Sequence, residues 1–271
     1  MQTAKALFDA GQIEAAIQQL TQDVKARPAD VSLRTFLFEL LCFHGSLDRA
    51  ARQLDVLTTQ SSDPGIQLAI QIYRSLLTAE EQRRQVFHGS ALPKFITSPS
   101  AHVERYVLLL KKLETAGADD LGTLLDDAEE SLPTIAGTRN GHPFASFRDA
   151  DDRTAGVLEV FHEGEYLWVP FDQIVSLQVM PPKKLREMMW AQAKIELAGQ
   201  PTGDVFLPTR YTDSYRHADD QVRLGRITEW EAMHDRLVIG HGQRVFLIDD
   251  EEVSLLDLGT VAFTAEGAPA R

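Results

Sequence analysis

The stretch LFDAGQIEAAIQQL, Leu7 to Leu20, returns 34 positions further on as LCFHGSLDRAARQL, Leu41 to Leu54. Leu7, Gly11, Ile13, Ala16 and Leu20 meet counterparts in Leu41, Gly45, Leu47, Ala50 and Leu54. In each copy apolar residues recur at helical spacing on both sides of the glycine. Each therefore reads as the end of one helix, a left-handed turn at glycine and the start of the next. One such pair cannot bury its apolar face alone, so pairs stack, and the stack leaves a groove suited to a peptide or helix from another protein.

Thirty-four residues is the tetratricopeptide period. The first pair turns at Gly11 and stops at Arg27-Pro28, because Pro28 pushes the residue before it out of the helical region. Val31 to His44 carries Leu33, Phe36, Leu37, Leu40 and Leu41 on a wide apolar face, and Asp48 to Thr58 is its partner. Past the loop Ser61-Ser62-Asp63-Pro64-Gly65 the third pair is eroded: Ile66 to Leu77 is amphipathic, but Ala79 stands where the turn glycine belongs. Thr78 with Glu81 reads as a capping box that opens a second helix running to Phe87. Val103 to Leu113, a turn at Gly117 and Leu121 to Leu132 form a fourth pair. The expectation is a tetratricopeptide-like helical solenoid over residues 1–135.

Turn formers gather from Thr134 to Pro143, and the apolar period then drops to two. Leu158-Glu159-Val160-Phe161 and Tyr166-Leu167-Trp168-Val169 flank His162-Glu163-Gly164-Glu165 as a β-hairpin. Further strands are expected at Ile174 to Val179, Asp204 to Leu207, Leu237 to Ile239 and Arg244 to Ile248, with one helix from about Lys183 to Leu197 behind Pro181-Pro182. Residues 140–271 thus read as an α+β domain with a largely antiparallel sheet.

The chain has 271 residues, 44% hydrophobic and 25% charged, and a formal net charge of −13. The length fits about two domains. The acidic balance argues against nucleic acid and against an anionic membrane surface, both of which are bound through Lys and Arg. The N-terminal residues lack the basic and apolar regions of a secretory signal, and no window reaches the ~20 apolar residues of a membrane span. The single cysteine, Cys42, sits in an apolar helical run and cannot form a disulfide within the chain. These features point to the cytoplasm.

Asp149, Asp151, Asp152 and Arg153 form the densest acidic cluster, with Glu159 and His162 downstream. Carboxylates at this spacing could hold a hard cation, but the glycine and distal glutamate of a calcium loop are missing. The competing reading has the aspartates accepting turn amides and Arg153 pairing one of them. His234 and His241 lack a zinc pattern, Ser90 and Ser146 lack a nucleophile elbow, and Gly240-His241-Gly242-Gln243 lacks the lysine and helix of a phosphate loop. Trp168, Trp190 and Trp230, with Tyr166, Tyr211 and Tyr215, read as core residues or interface anchors. No cofactor and no metal are expected, and no catalytic residue stands out. Phe8, Glu39, Phe43, Tyr73 and Leu76 fall near positions that face the concave side of the stack, where they are the candidate partner-binding residues.

The chain as a whole resembles the ImpE family, also called the TagJ family, of accessory proteins in bacterial type VI secretion. The likeness runs through Ala-Gly-x-x-Glu-Ala-Ala at the N-terminus, Arg27-Pro-Ala-Asp30, Leu33-Arg-x-x-Leu-Phe-Glu-Leu-Leu41, Asp48-Arg-Ala50 and Arg84-x-Val-Phe-x-Gly89. It continues in Asp149-Ala-Asp-Asp-Arg153, Gly164-x-Tyr-x-Trp-x-Pro170, Leu185-Arg186 with Trp190, Phe206-Leu-Pro-x-Arg-Tyr211 and Leu224-Gly-Arg-x-Thr-Glu-Trp230. The resemblance implies a non-enzymatic adaptor that binds the N-terminal helix of the small sheath subunit TssB. It would thereby tune assembly of the sheath or its disassembly by the ClpV ATPase. Two alternatives stand beside it: a metal-dependent hydrolase centred on the C-terminal acidic cluster, and a purely structural subunit of a larger complex.

The change of periodicity places a domain junction between about Pro133 and Pro143. Limited proteolysis is expected to cut there and leave two fragments; cleavage mainly within Val31 to Thr58 would contradict the division.

Overall fold

A computed structural model describes residues 2–113, 115–233 and 236–264. Seven helices come first: α1 (Gln2–Asp9), α2 (Ile13–Ala26), α3 (Val31–Phe43), α4 (Leu47–Gln60), α5 (Pro64–Phe87), α6 (Ala101–Lys112) and α7 (Ala118–Glu130), with a short β1 (Lys94–Phe95) before α6. Gly11 and Gly45, the repeated turn glycines, both adopt φ +81. Asp30 caps α3 by accepting the N–H groups of Ser32 and Leu33, and Asp63 caps α5 through Ile66.

The expected third pair is instead one helix, α5, of 24 residues. Without a glycine at position 79 nothing breaks it, and Ala79, the best helix former, is fully buried there. Thr78 does not cap a new helix; its hydroxyl donates back to the Arg74 carbonyl at 3.1 Å, as a mid-helix threonine does.

The strands are β2 (Gly137–Arg139), β3 (His142–Phe144), β4 (Phe147–Asp149), β5 (Val157–His162), β6 (Glu165–Pro170), β7 (Ile174–Val179), β8 (Trp190–Leu197) and β9 (Gly203–Pro208), followed by the short helix α8 (Asp220–Arg223). Then come β10 (Thr228–Met233), β11 (Leu237–Gly242), β12 (Val245–Ile248), β13 (Glu251–Ser254) and β14 (Thr260–Phe263). Nine strands form one sheet in the order β1-β6-β5-β9-β8-β7-β14-β2-β3, antiparallel except for the parallel β1–β6 contact. β13-β12-β4 and β10-β11 form two smaller sheets.

The helix expected from Lys183 to Leu197 is a single 3-10 turn, Leu185–Met188, followed by β8. Ala191, Ala193, Ile195 and Leu197 are buried while Gln192 and Lys194 are exposed, a period of two that the helix-favouring composition masks. Pairing with β7 and β9 on both sides overrides local propensity.

Strands β5 and β6 are buried on both faces, which is why they read as continuous apolar runs. Val157, Phe161, Tyr166 and Trp168 share one core with the helices, whereas Leu158, Val160, Leu167 and Val169 belong to a second core on the other face. In that second core Phe147 packs against Phe171 and Phe246 with ring centroids 5.0 and 5.1 Å away.

The turn glycines also admit the C-terminal half. A Cβ on Gly45 would stand 2.3 Å from Tyr215 Cδ2, and one on Gly11 2.2 Å from Gln221 Nε2. Gly89 has a similar φ of +71 but nothing within 4 Å of such a Cβ. Gly45→Ala is therefore expected to cost about 1–3 kcal/mol, and Gly89→Ala only the backbone part of that, about 1 kcal/mol. Urea melts of the two variants check this, and equal losses would refute the role of Tyr215.

Candidate functional site

The C-terminal half lays arginines on aromatic rings of the helical half. Arg210 lies over the Phe43 ring at 5.0 Å and donates to the Phe43 carbonyl at 3.1 Å. Arg226 lies over Phe8 at 5.2 Å, Arg186 over Tyr73 at 4.9 Å and Arg153 over Phe87 at 5.1 Å. From the helical side Arg84 stacks on Tyr215 at 4.1 Å. Each contact joins a weakly hydrated planar cation to an aromatic face, worth ~0.5–2 kcal/mol.

Beneath them lies a buried ionic network. Arg83 of α5, 2% exposed, makes a two-pronged pair with Glu159 of β5 at 2.7 and 3.0 Å, and Glu159 is 1% exposed. Arg83 also donates to the Arg210 carbonyl at 2.9 Å, and Tyr166 donates its hydroxyl to Glu159 at 2.6 Å. Arg244 pairs with both Glu159 and Asp149. Burial pushes Arg210 and Arg244 down to about 10, which leaves both charged at neutral pH.

This arrangement separates the five candidate residues. Phe43 is buried at the seam under Arg210, Leu76 is buried in the core, and Tyr73 is half-buried under Arg186. Phe8 and Glu39 line an open cavity of about 660 Å³. Its helical wall is Phe8 from α1 with Val31, Thr35, Phe36 and Glu39 from α3, and its opposite wall is the segment Pro182 to Met188. Phe36 meets Phe8 edge to face at 6.1 Å. Glu39 is bound by Arg186 at 2.9 Å; burial pushes its carboxyl above the ordinary value, and Arg186 offsets only part of that. A second depression of about 180 Å³ lies across α3, shares Val31 and Thr35, and is lined by Ile66, Ile70 and Tyr73.

Sequence reasoning missed the second wall. Leu185 and Met188 fell inside an expected helix, where nothing marks them as facing a groove formed with residues 150 positions away. Phe36 carried a signal, since it stood on the apolar face of its helix. Among the tryptophans, Trp168 and Trp190 are core, while Trp230 on β10 is 38% exposed and packs against Tyr211.

The acidic cluster is occupied by internal donors. Asp149 accepts the Asp151 N–H at 3.0 Å, the Thr154 hydroxyl at 3.1 Å and the Tyr211 hydroxyl at 2.9 Å. Asp151 accepts from Arg153, through its backbone N–H and its side chain, and from the Gly240 N–H at 3.0 Å. Asp152 accepts the Val238 N–H at 2.6 Å and pairs with Arg148. His162 is exposed at the end of β5, apart from this network, and His234 lies outside the described residues.

The aspartates thus tie β4 to β11 and to the turn between them and Arg153. Burial alone would raise the Asp151 carboxyl, but the Arg153 guanidinium and the amides hold it below its ordinary 3.8. A lowered acid stabilises the fold above its unfolded value, and that stability is lost as pH falls through the lower folded value. Asp151→Asn is expected to cost about 1–3 kcal/mol at pH 7 in a urea melt, with the gap to wild type narrowing towards about pH 3. A gap that widens on acidification would contradict this ion pair.

Residues 141–262 match the family described as ImpE protein. Over 260 residues, 96% of this chain and 90% of the relative, the sequence is 34% identical to the type VI secretion system accessory component TagJ of Pseudomonas aeruginosa PAO1. The fold matches the crystal structure of protein VPA1032 from Vibrio parahaemolyticus with a TM-score of 0.89 and 26% identity, covering 98% of both chains. Identity of that extent over nearly the full length reflects common descent, and the chain belongs to the ImpE (TagJ) family of type VI secretion accessory proteins.

Proposed function

We propose that the chain is a non-enzymatic adaptor of a type VI secretion system that receives the N-terminal helix of the small sheath subunit TssB in the groove between α1, α3 and the segment Pro182 to Met188. Through that contact it acts on sheath assembly or on disassembly by ClpV. The observation that carries this reading is the open, largely apolar groove of about 660 Å³ with Phe8 and Glu39 in its lining, which suits the apolar stripe of a helix. Tyr73 serves the adjoining depression, Phe43 backs the lining residue Phe8 with ring centroids 6.1 Å apart, and Leu76 is a core residue outside the groove lining. The relative's accessory role supports it, as do carboxylates in the acidic cluster that are already engaged by amides, hydroxyls and arginines. An open groove also favours an exchangeable ligand over a purely structural subunit.

The test is a fluorescence-anisotropy titration of a labelled TssB N-terminal peptide into the full chain. A Phe8→Ala, Phe36→Ala double variant and, separately, Met188→Glu on the exposed opposite wall are expected to weaken binding at least ~10-fold, since aromatic anchors dominate such grooves. Both should retain helical circular dichroism and a cooperative melt. Trp230→Ala, on β10 and outside the groove lining, should bind as wild type does. Unchanged affinity in both groove variants together with loss in Trp230→Ala would move the site to the C-terminal sheet.

A further inference from the structure

The groove's charge is opposite to that of the chain around it. Five ionisable residues line it: Lys5, Asp9, Glu39, Lys183 and Lys184. Asp9 is paired with Lys5, and Glu39 with Arg186. Lys183 and Lys184 are exposed, and neither ammonium has a carboxylate within ion-pair distance among the described residues. The nearby Glu187 spends one carboxylate oxygen on the backbone N–H groups of the same two lysines, at 2.6 and 3.1 Å, which fixes their segment against the groove. A chain of net charge −13 thus places two exposed ammonium groups, neither in an ion pair among the described residues, on the rim of an apolar recess, with Lys184 acting only at longer range on Glu39.

We infer that the groove selects an amphipathic helix whose apolar stripe is flanked by carboxylates on the side facing Lys183 and Lys184. The inference rests on the reading that the groove receives a helix, and it adds the chemistry of that helix. Glu39 does not call for a basic residue on the partner, because Arg186 already fills that place from within the chain. Rim charges of this kind steer and select more than they add affinity, and they are screened by salt.

Three labelled helical peptides with one shared leucine stripe and with glutamate, glutamine or lysine flanks are titrated into the full chain, beside the TssB peptide. The glutamate-flanked peptide should bind about tenfold more tightly than the lysine-flanked one at low salt, and the ratio should collapse at 0.5 M salt. In a Lys183→Glu, Lys184→Glu variant, whose altered side chains are exposed, the order should reverse. In Arg186→Ala, which frees Glu39, the lysine-flanked peptide should gain. Equal affinities, a lysine preference in wild type, or a ratio unmoved by the charge reversal would each overturn the inference. Binding of the TssB peptide with no charge preference would overturn it while leaving the proposed function standing; a clear glutamate preference without TssB binding would do the opposite. A chain that dimerises through this face, with the dimer abolished by the charge reversal and insensitive to every peptide, would put a second copy in the groove and overturn it as well.

Discussion

Arg83 on the longest helix and Glu159 on a central strand meet where both are almost wholly out of water, and that pair constrains how helices and sheet can dock. Two buried charges are expensive to desolvate, and the cost is recovered only with near-ideal geometry and with every remaining proton and lone pair engaged. Here the guanidinium grips both carboxylate oxygens and reaches the Arg210 carbonyl, while Tyr166 and Arg244 complete the carboxylate. Arg244 extends the network to Asp149, and Asp149 to the turn that Asp151 and Asp152 fix against β11. A different docking of the sheet would strand several charges at once, so the network specifies one orientation more than it adds stability.

Covering the solenoid in this way has a consequence for recognition. A stack of helix pairs offers its concave face to partners, yet here arginines of the same chain lie on Phe8, Phe43 and Tyr73, the aromatic rings expected to serve a partner. The segment Pro182 to Met188 touches α3 through the Arg186–Glu39 pair, and the space left beside that contact is the groove. None of the residues in its 3-10 turn is buried. The groove is therefore an edge effect of intramolecular docking, with one wall from each half, and a helix alone or a sheet alone would not form it.

How much of this was legible follows from which interactions are local. Helix pairs, their turn glycines and the β5–β6 hairpin are written in periodicity within short windows, and those elements appear where the sequence placed them. Position 79 shows the limit of analogy: the repeat frame asked for a turn, but a turn needs a residue that breaks the helix, and alanine does not. The segment from Lys183 to Leu197 shows the limit of propensity, since strand pairing on both sides outweighed a helix-favouring composition. The seam was present in the sequence without being readable. Arg153, Arg186, Arg210 and Arg226 all stand in the motifs that carry the family likeness, but nothing local ties Arg226 to a phenylalanine 218 positions earlier.

The groove and the buried network are one continuous structure. Arg186, which holds Glu39, lies four residues before Trp190, whose indole N–H donates to Glu80 at 3.3 Å. Glu80 pairs with Arg83, and Arg83 with Glu159. The wall that a partner helix would touch is thus anchored at its far end in the most deeply buried charges of the chain. A wall so anchored is preformed, and a preformed groove spares the entropy of ordering both partners on association. Glu187 holds the backbone of Lys183 and Lys184 on that same wall, so their charges stay on the rim, where a charge pattern distinguishes one amphipathic helix from another.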